Sequence, residues 1–299
     1  MLQQFIEGIK INKTILAKLG LIFTTLAWGA TFVITDEALN DAPPFTFNAY
    51  RFLIASLSTF IIVRNKVFQL TRVEFKGALV CALFLFLGYN FQNFGLWLDS
   101  TPTTSAFITS ISVILVPLFL VITEKQQISN RVWFSVLFAL LGLFMLLNPI
   151  STGFKIGDLI TFGCAIFFAG HIIFQDEAVK KEINISRFFL VQITFVCLLS
   201  FLCSLIFEPA SLFNSMHIKF WSKTLVSALL INGILATTVA IMIMVWAQKI
   251  VTASQTAIFF SLEPLFAALF SWYLIGEKLG IFGWVGGLII VIAIIISDH

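Results

Sequence analysis

Ten apolar stretches recur along the chain, at 16–35, 46–63, 77–97, 104–123, 131–148, 157–175, 187–207, 224–247, 253–275 and 281–297. Each approaches the 20 or so apolar residues that a helix needs to cross bilayer hydrocarbon. Short loops bearing turn or charge signals part them, among them DEALNDAPP, DSTP, TEKQQISN and IGEKLG. None alternates at period two, as the strands of a transmembrane barrel do. The pattern predicts an all-α membrane protein of ten transmembrane helices. Residues 1–15 read as a short cytoplasmic arm, and the first apolar run as a retained helix, because no small-residue cleavage site follows it.

Composition agrees. Of 299 residues 59% are hydrophobic and 11% charged, where a soluble domain carries about 25% charged, and the mean hydropathy is +1.02. A net charge of +3 without a basic block argues against nucleic-acid binding. Cys81, Cys164, Cys197 and Cys203 all lie inside apolar runs, a pattern that gives neither a disulfide framework nor metal-ligand spacing. No cofactor or metal is expected. With both termini inside, 13 of the 18 Lys and Arg fall on or near the cytoplasmic side and Arg51, Lys155, Lys219, Lys223 and Lys278 on the other. That bias orients the chain, and the compact loops suit a bacterial inner membrane.

The chain repeats itself. LAWGATFVIT (26–35) lies under IFFAGHIIFQ (166–175) at an offset of 140, and TSAFITSISVILVPLF (104–119) under VTASQTAIFFSLEPLF (251–266) at 147. Residues 16–148 and 157–297 thus form two five-span halves. Five is odd, so the halves run oppositely through the membrane, and inverted repeats of this kind place a substrate near the midplane between them.

The WG of the first span, RFLIASL opening the second, and LEPLFAAL with IGEK in the ninth, together with ten spans in two halves, resemble the EamA-like branch of the drug/metabolite transporter superfamily. The likeness covers about residues 16–297. It implies a ten-helix bundle that moves small metabolites, amino acids or drugs without covalent chemistry, through a cavity built by spans 1, 3, 4, 6, 8 and 9. The first half departs from the pattern where TEKQQ stands in place of LIGEK.

Polar groups within a span turn toward a cavity or a partner helix, because lipid offers them nothing. Thr24, Trp28, Thr31 and Thr35 fall on one helical face, matched in the other half by Cys164, Phe168, His171 and Gln175. These faces read as a partly wet lumen; the alternative is that hydroxyls bond back to their own helix or cement two helices. In span 3 Phe86, Asn90, Asn93 and Trp97 share a face, with Tyr89 and Gln92 beside it. Aligning Trp97 with Trp246 sets apolar Leu235, Val239 and Met242 opposite, so the cavity is expected to be amide-rich on one wall and greasy on the other. Asn90 and Asn93 also suit an interhelical hydrogen bond. Span 4 offers Ser105, Thr109 and Ser112, matched at 147 by Thr252, Thr256 and Phe259, with Gln255 adjacent and Glu263 opposite Val116. Small residues in spans 5 and 10 suit close packing, as structural supports or as a homodimer contact.

Arg51 and Glu263 are the two formal charges well inside spans. Arg51 reads as an anchor whose stem snorkels to the outer interface, or as a counter-ion for Glu263 or an anionic solute. Glu263, near mid-depth beside Pro264, is suited to hold a cationic solute or carry a proton; His171 is a second candidate carrier or a hydrogen-bonded core histidine. Pro264 and Pro117 share a place at the 147 offset and read as bending points. The expected activity is secondary transport of a small organic solute by alternating access, proton-coupled or as an exchanger, with a passive facilitator as the other reading. The absence of a P-loop speaks against ATP-driven transport by this chain alone, and the absence of H-E-x-x-H and G-x-S-x-G against an intramembrane enzyme.

Overall fold

The computed structural model describes residues 12–64, 69–124, 126–147, 155–181, 183–217, 220–276 and 280–297. Most of the expected arm, and Lys125, Glu277 and Lys278 of the two loop motifs, lie outside them. Every regular element among the described residues is helical. Eight helices are long and apolar enough to cross a membrane: Lys13–Ala38, Pro44–Val63, Arg72–Leu98, Pro102–Thr123, Ile156–Val179, Ile185–Phe207, Lys223–Ala247 and Ala253–Leu274. They occupy the places of spans 1–4 and 6–9. Shorter apolar helices, Asn130–Leu146 and Ile281–Ser297, stand where spans 5 and 10 were expected. The 17 residues of the latter rise about 26 Å, a little less than the roughly 30 Å hydrocarbon core.

Local chemistry sets the starts of these helices. Asn12, Thr71, Thr101, Asn184, Ser222 and Thr252 each accept a backbone N–H at a helix N-terminus, satisfying donors that have no partner within the helix. Pro44, Pro102 and Pro209 sit in first turns, where a missing N–H costs nothing. Pro209 opens a short helix, Pro209–Ser215, in what read as plain loop.

The main pairings join one half to the other: span 3 with 6, 2 with 7, 5 with 10, and 1 with 8 and 9. Glycine permits the closest of them. A Cβ on Gly142 would lie 2.6 Å from the Gly286 carbonyl, and one on Gly286 2.5 Å from that of Gly142, so the small residues of spans 5 and 10 serve contact within the chain. Two carboxylates latch one half to the other, at the starts of spans 2 and 7. Glu208 accepts the backbone N–H groups of Phe45 and Thr46 at the start of span 2 (3.1 and 2.7 Å). Glu74 accepts that of Asn184 (2.8 Å) at the start of span 7 and pairs with Arg187 (2.6 Å). Leu57, Ile61, Phe134, Leu202, Ile206 and Tyr273 are among many large apolar side chains on the outside, a surface that lipid covers.

Three local features differ from the sequence expectation. Span 9 is broken between Ala253–Phe260 and Glu263–Ile275, and Pro264 lies in the first turn of the second piece rather than at a mid-helix kink. Span 4 breaks likewise between Pro102–Thr109 and Ser112–Glu124, with Pro117 well inside its second piece. The prolines therefore do different jobs. The N-caps Thr101 and Thr252 and the two breaks align at an offset of 151, one helical turn beyond the 147 that the shared PLF suggests. The structural mate of Glu263 is accordingly Ser112, not Val116. A slip of four residues keeps nearly the same helical face and shifts the depth by about one turn. Thirdly, span 8 runs as a π-helix over Ile231–Val239, flanked by Lys223–Leu230 and Ala240–Ala247, whereas its mate, span 3, is α-helical throughout.

Candidate functional site

A cavity lies between the halves, with about 660 Å³ of free space when its open mouth is included. Spans 1, 2, 3, 4, 6, 8 and 9 line it. Apolar clusters border it on either side: one joins Phe32, Leu96, Phe47 and Leu229, the other Ile172, Met244, Phe260 and Leu21.

Span 1 supplies Trp28, Thr31, Phe32 and Thr35. Span 8 gives this face its docking points, two in the π-segment and one just beyond it. The Trp28 indole donates to the Ala236 carbonyl (2.8 Å), Thr24 to that of Ala240 (3.1 Å), and Thr35 to Asn232 Oδ1 (3.3 Å). The wider winding of a π-helix turns carbonyls away from regular α geometry, and such segments often mark functional positions. Thr31 bonds back to the Trp28 carbonyl, as the cement reading allowed. On its other side span 1 meets span 9 at Gly29, where a Cβ would stand 3.0 Å from the Glu263 carbonyl and 2.8 Å from the Ala267 nitrogen. That contact sets Glu263 in the wall beside Trp28, whose ring meets Phe260 edge-on at 4.8 Å. Glu263 is 5% exposed. Among the described residues its carboxylate forms no ion pair or hydrogen bond, so it is free to meet a guest.

Arg51 faces the same cavity. It is 3% exposed, which corrects the snorkelling anchor: its Nε donates to Thr237 Oγ1 in the π-segment (2.9 Å) and its guanidinium carbon lies 4.1 Å from the centre of the Tyr89 ring. This cation–π contact and the hydroxyl hold the guanidinium without neutralising it, and no carboxylate among the described residues pairs with it. Two groups of opposite formal charge thus line one cavity, Arg51 held by Thr237 and Tyr89 and Glu263 without a hydrogen bond or ion pair among the described residues.

Tyr89 and Gln92 come from span 3 with Leu85 and Leu96; Thr109 and Ser112 from span 4; Phe168, His171 and Ile172 from span 6; Ile241 and Met244 from span 8. Gln92 donates to the Thr109 hydroxyl (3.0 Å), which donates to the Ser105 carbonyl. Gly88 admits the Phe168 ring against span 3, a Cβ there being 2.5 Å from it.

Of the expected site residues, Trp28, Thr31, Tyr89, Thr109, Phe168, His171 and Glu263 share this wall. Asn90, Asn93, Gln175, Trp246, Gln255 and Phe259 do not. Asn48 of span 2 donates to Asn90 and accepts from Asn93 (3.0 and 2.9 Å); Gln175 donates to Gln248 (2.7 Å); Gln255 completes the cap of span 9 with Thr252; Trp246 and Phe259 pack in an apolar cluster. The amide-rich wall is therefore a helix–helix contact, and span 3 turns Tyr89 and Gln92 inward instead. The greasy wall of span 8 is Ile241 and Met244; Leu235 and Val239 face outward. Arg51, Gln92 and Ser112, singled out in their spans but not counted among the expected site residues, line the wall as well, and Phe260 was missed. The 151 offset would have matched Ser112 with Glu263 and Thr109 with Phe260; nothing in the sequence announces the π-segment that holds Arg51.

The EamA-like transporter family matches the chain over residues 15–148 and again over 155–297. An "Uncharacterized transporter" of Archaeoglobus fulgidus is 32% identical over 292 residues, 97% of this chain and 87% of its own. The "Uncharacterized transporter YoaV" of Bacillus subtilis is 25% identical, over 91% of this chain and 93% of its own. A crystal structure at 16% identity superposes with a TM-score of 0.74, covering 94% of this chain and 95% of that one, which speaks to the fold alone. With two family matches spanning its length, and a charged cavity between its halves, this multi-pass membrane protein belongs to the EamA-like transporter family.

Proposed function

We propose that the protein is a secondary transporter for a small organic solute bearing both a cationic and an anionic group, alternately exposed to either side of a cell membrane with both termini cytoplasmic. The observation that carries the reading is the coexistence of Arg51 and Glu263 on one cavity wall, each buried and neither paired with the other. A desolvated charge without a partner is costly, and a zwitterionic guest offsets both costs at once. Arg51 takes the anionic group, Glu263 the cationic one, and Trp28, Phe168, Phe260 and Met244 the apolar body, the division of labour usual in ligand pockets. Apolar clusters on both sides suit alternating gates better than a standing pore.

The test is binding, read as stabilisation against heat. The purified protein is offered α-amino acids, their amides (cation only) and their N-acetyl forms (anion only). A charged hydrogen bond is worth about 1.5–3 kcal/mol and a neutral one about 1. Glu263→Gln should therefore weaken the zwitterion and the amide about 2- to 30-fold and spare the N-acetyl form, and Arg51→Gln should weaken the zwitterion and the N-acetyl form and spare the amide. If no member of the panel binds, or both variants weaken all three forms equally, the reading fails.

A further inference from the structure

Spans 2 and 7 begin from Pro43 and Asn184, an offset of 141 that places Gln192 where Arg51 stands in the other half. Arg51 reaches the cavity directly, and Gln192 does not. Fully buried, it sets its side-chain nitrogen 2.6 Å from His171 Nε2, and His171 forms part of the cavity wall. An amide N–H that meets an imidazole nitrogen needs a lone pair there, so a neutral ring carries its proton on the other nitrogen. That nitrogen, Nδ1, makes no hydrogen bond among the described residues, and the ring it belongs to lines the cavity.

We infer that Gln192 is a positioning residue which fixes His171 as a neutral hydrogen-bond donor, its Nδ1–H turned to the cavity to meet an acceptor group of the solute. The two repeat-equivalent positions then serve one cavity in different ways, Arg51 by charge and Gln192 through the histidine it orients. This assigns His171 a recognition role in place of proton carriage. It rests on the cavity being the solute site, but the tautomer itself does not.

Nitrogen-15 NMR of the histidine-labelled protein in lipid bilayers distinguishes Nδ1–H from Nε2–H imidazole. There are three histidines, and the His171 signals are identified by their loss in His171→Asn. The expected wild-type spectrum shows Nδ1 protonated and Nε2 bare. Gln192→Met, close in volume, should release the ring to a tautomer mixture, and Gln192→Glu, whose carboxylate accepts, should move the proton to Nε2. A wild-type ring protonated on Nε2 overturns the inference by itself, whether or not either variant folds; so does an unchanged tautomer in Gln192→Met. If the tautomer is as stated and no zwitterion binds, the transport reading falls while the positioning role of Gln192 stands.

Discussion

Glu74 offers the sharpest test of how the two halves are held together. It is the third residue of span 3 and its side chain is 1% exposed. One carboxylate accepts the N–H of Thr71 (2.9 Å), the N–H of Asn184 (2.8 Å), and two guanidinium donors of Arg187 (3.0 and 2.6 Å). It thereby caps its own helix and the start of span 7 in the opposite half. Glu74→Gln keeps the shape, removes the charge and loses an acceptor. Breaking a buried ion pair from one side costs about 3–5 kcal/mol. Arg187 keeps 13% of its side chain in contact with the surroundings, which recovers part of this, so about 2–4 kcal/mol is expected. Thermal unfolding of the purified protein should report a melting point lower by about 4–8 °C. Arg187→Gln should cost a similar amount, and the double variant less than the sum by about 1–3 kcal/mol, because each single change strands the other partner. A Glu74→Gln protein within about 0.5 kcal/mol of wild type, or strict additivity in the cycle, would refute the latch.

Two further outcomes follow from the walls of the cavity. Gly29→Ala places a methyl group 2.8 Å from the backbone nitrogen of Ala267, which cannot rotate away; it should cost about 1–3 kcal/mol and weaken zwitterion binding by displacing Glu263, both read by melting with and without solute. Trp28→Phe deletes the indole donor to Ala236 and should cost about 1 kcal/mol, measured by thermal unfolding, whereas an unaltered melting point would show that the π-segment does not depend on that bond.

Much of the fold was legible because lipid imposes simple rules. Long apolar runs mark spans, and paired motifs mark two halves, since each follows from chain composition at a fixed spacing. The polar faces of spans 1 and 6 were legible for the same reason: Trp28, Thr31, Phe168 and His171 keep helical spacing, and a helix has one inward face. Span 3 was not. Its two polar faces, Asn90 with Asn93 and Tyr89 with Gln92, are about equally polar in sequence, and only the presence of Asn48 on the neighbouring helix decides which one is spent on packing.

By itself, then, the sequence determined an all-helical membrane chain of two related halves, with Glu263 inside a span and in need of an explanation. Tertiary structure alone decided what that glutamate is near. The break at Ser261–Leu262 lifts Pro264 into a first turn, matches Glu263 with Ser112, and turns it toward the cavity. The π-winding of span 8 brings Thr237 to Arg51, 186 residues away in sequence. The physical reason is that helical periodicity fixes a side chain's face from its neighbours in sequence, whereas breaks, changes of winding and partners across the bundle depend on contacts between segments that periodicity does not encode.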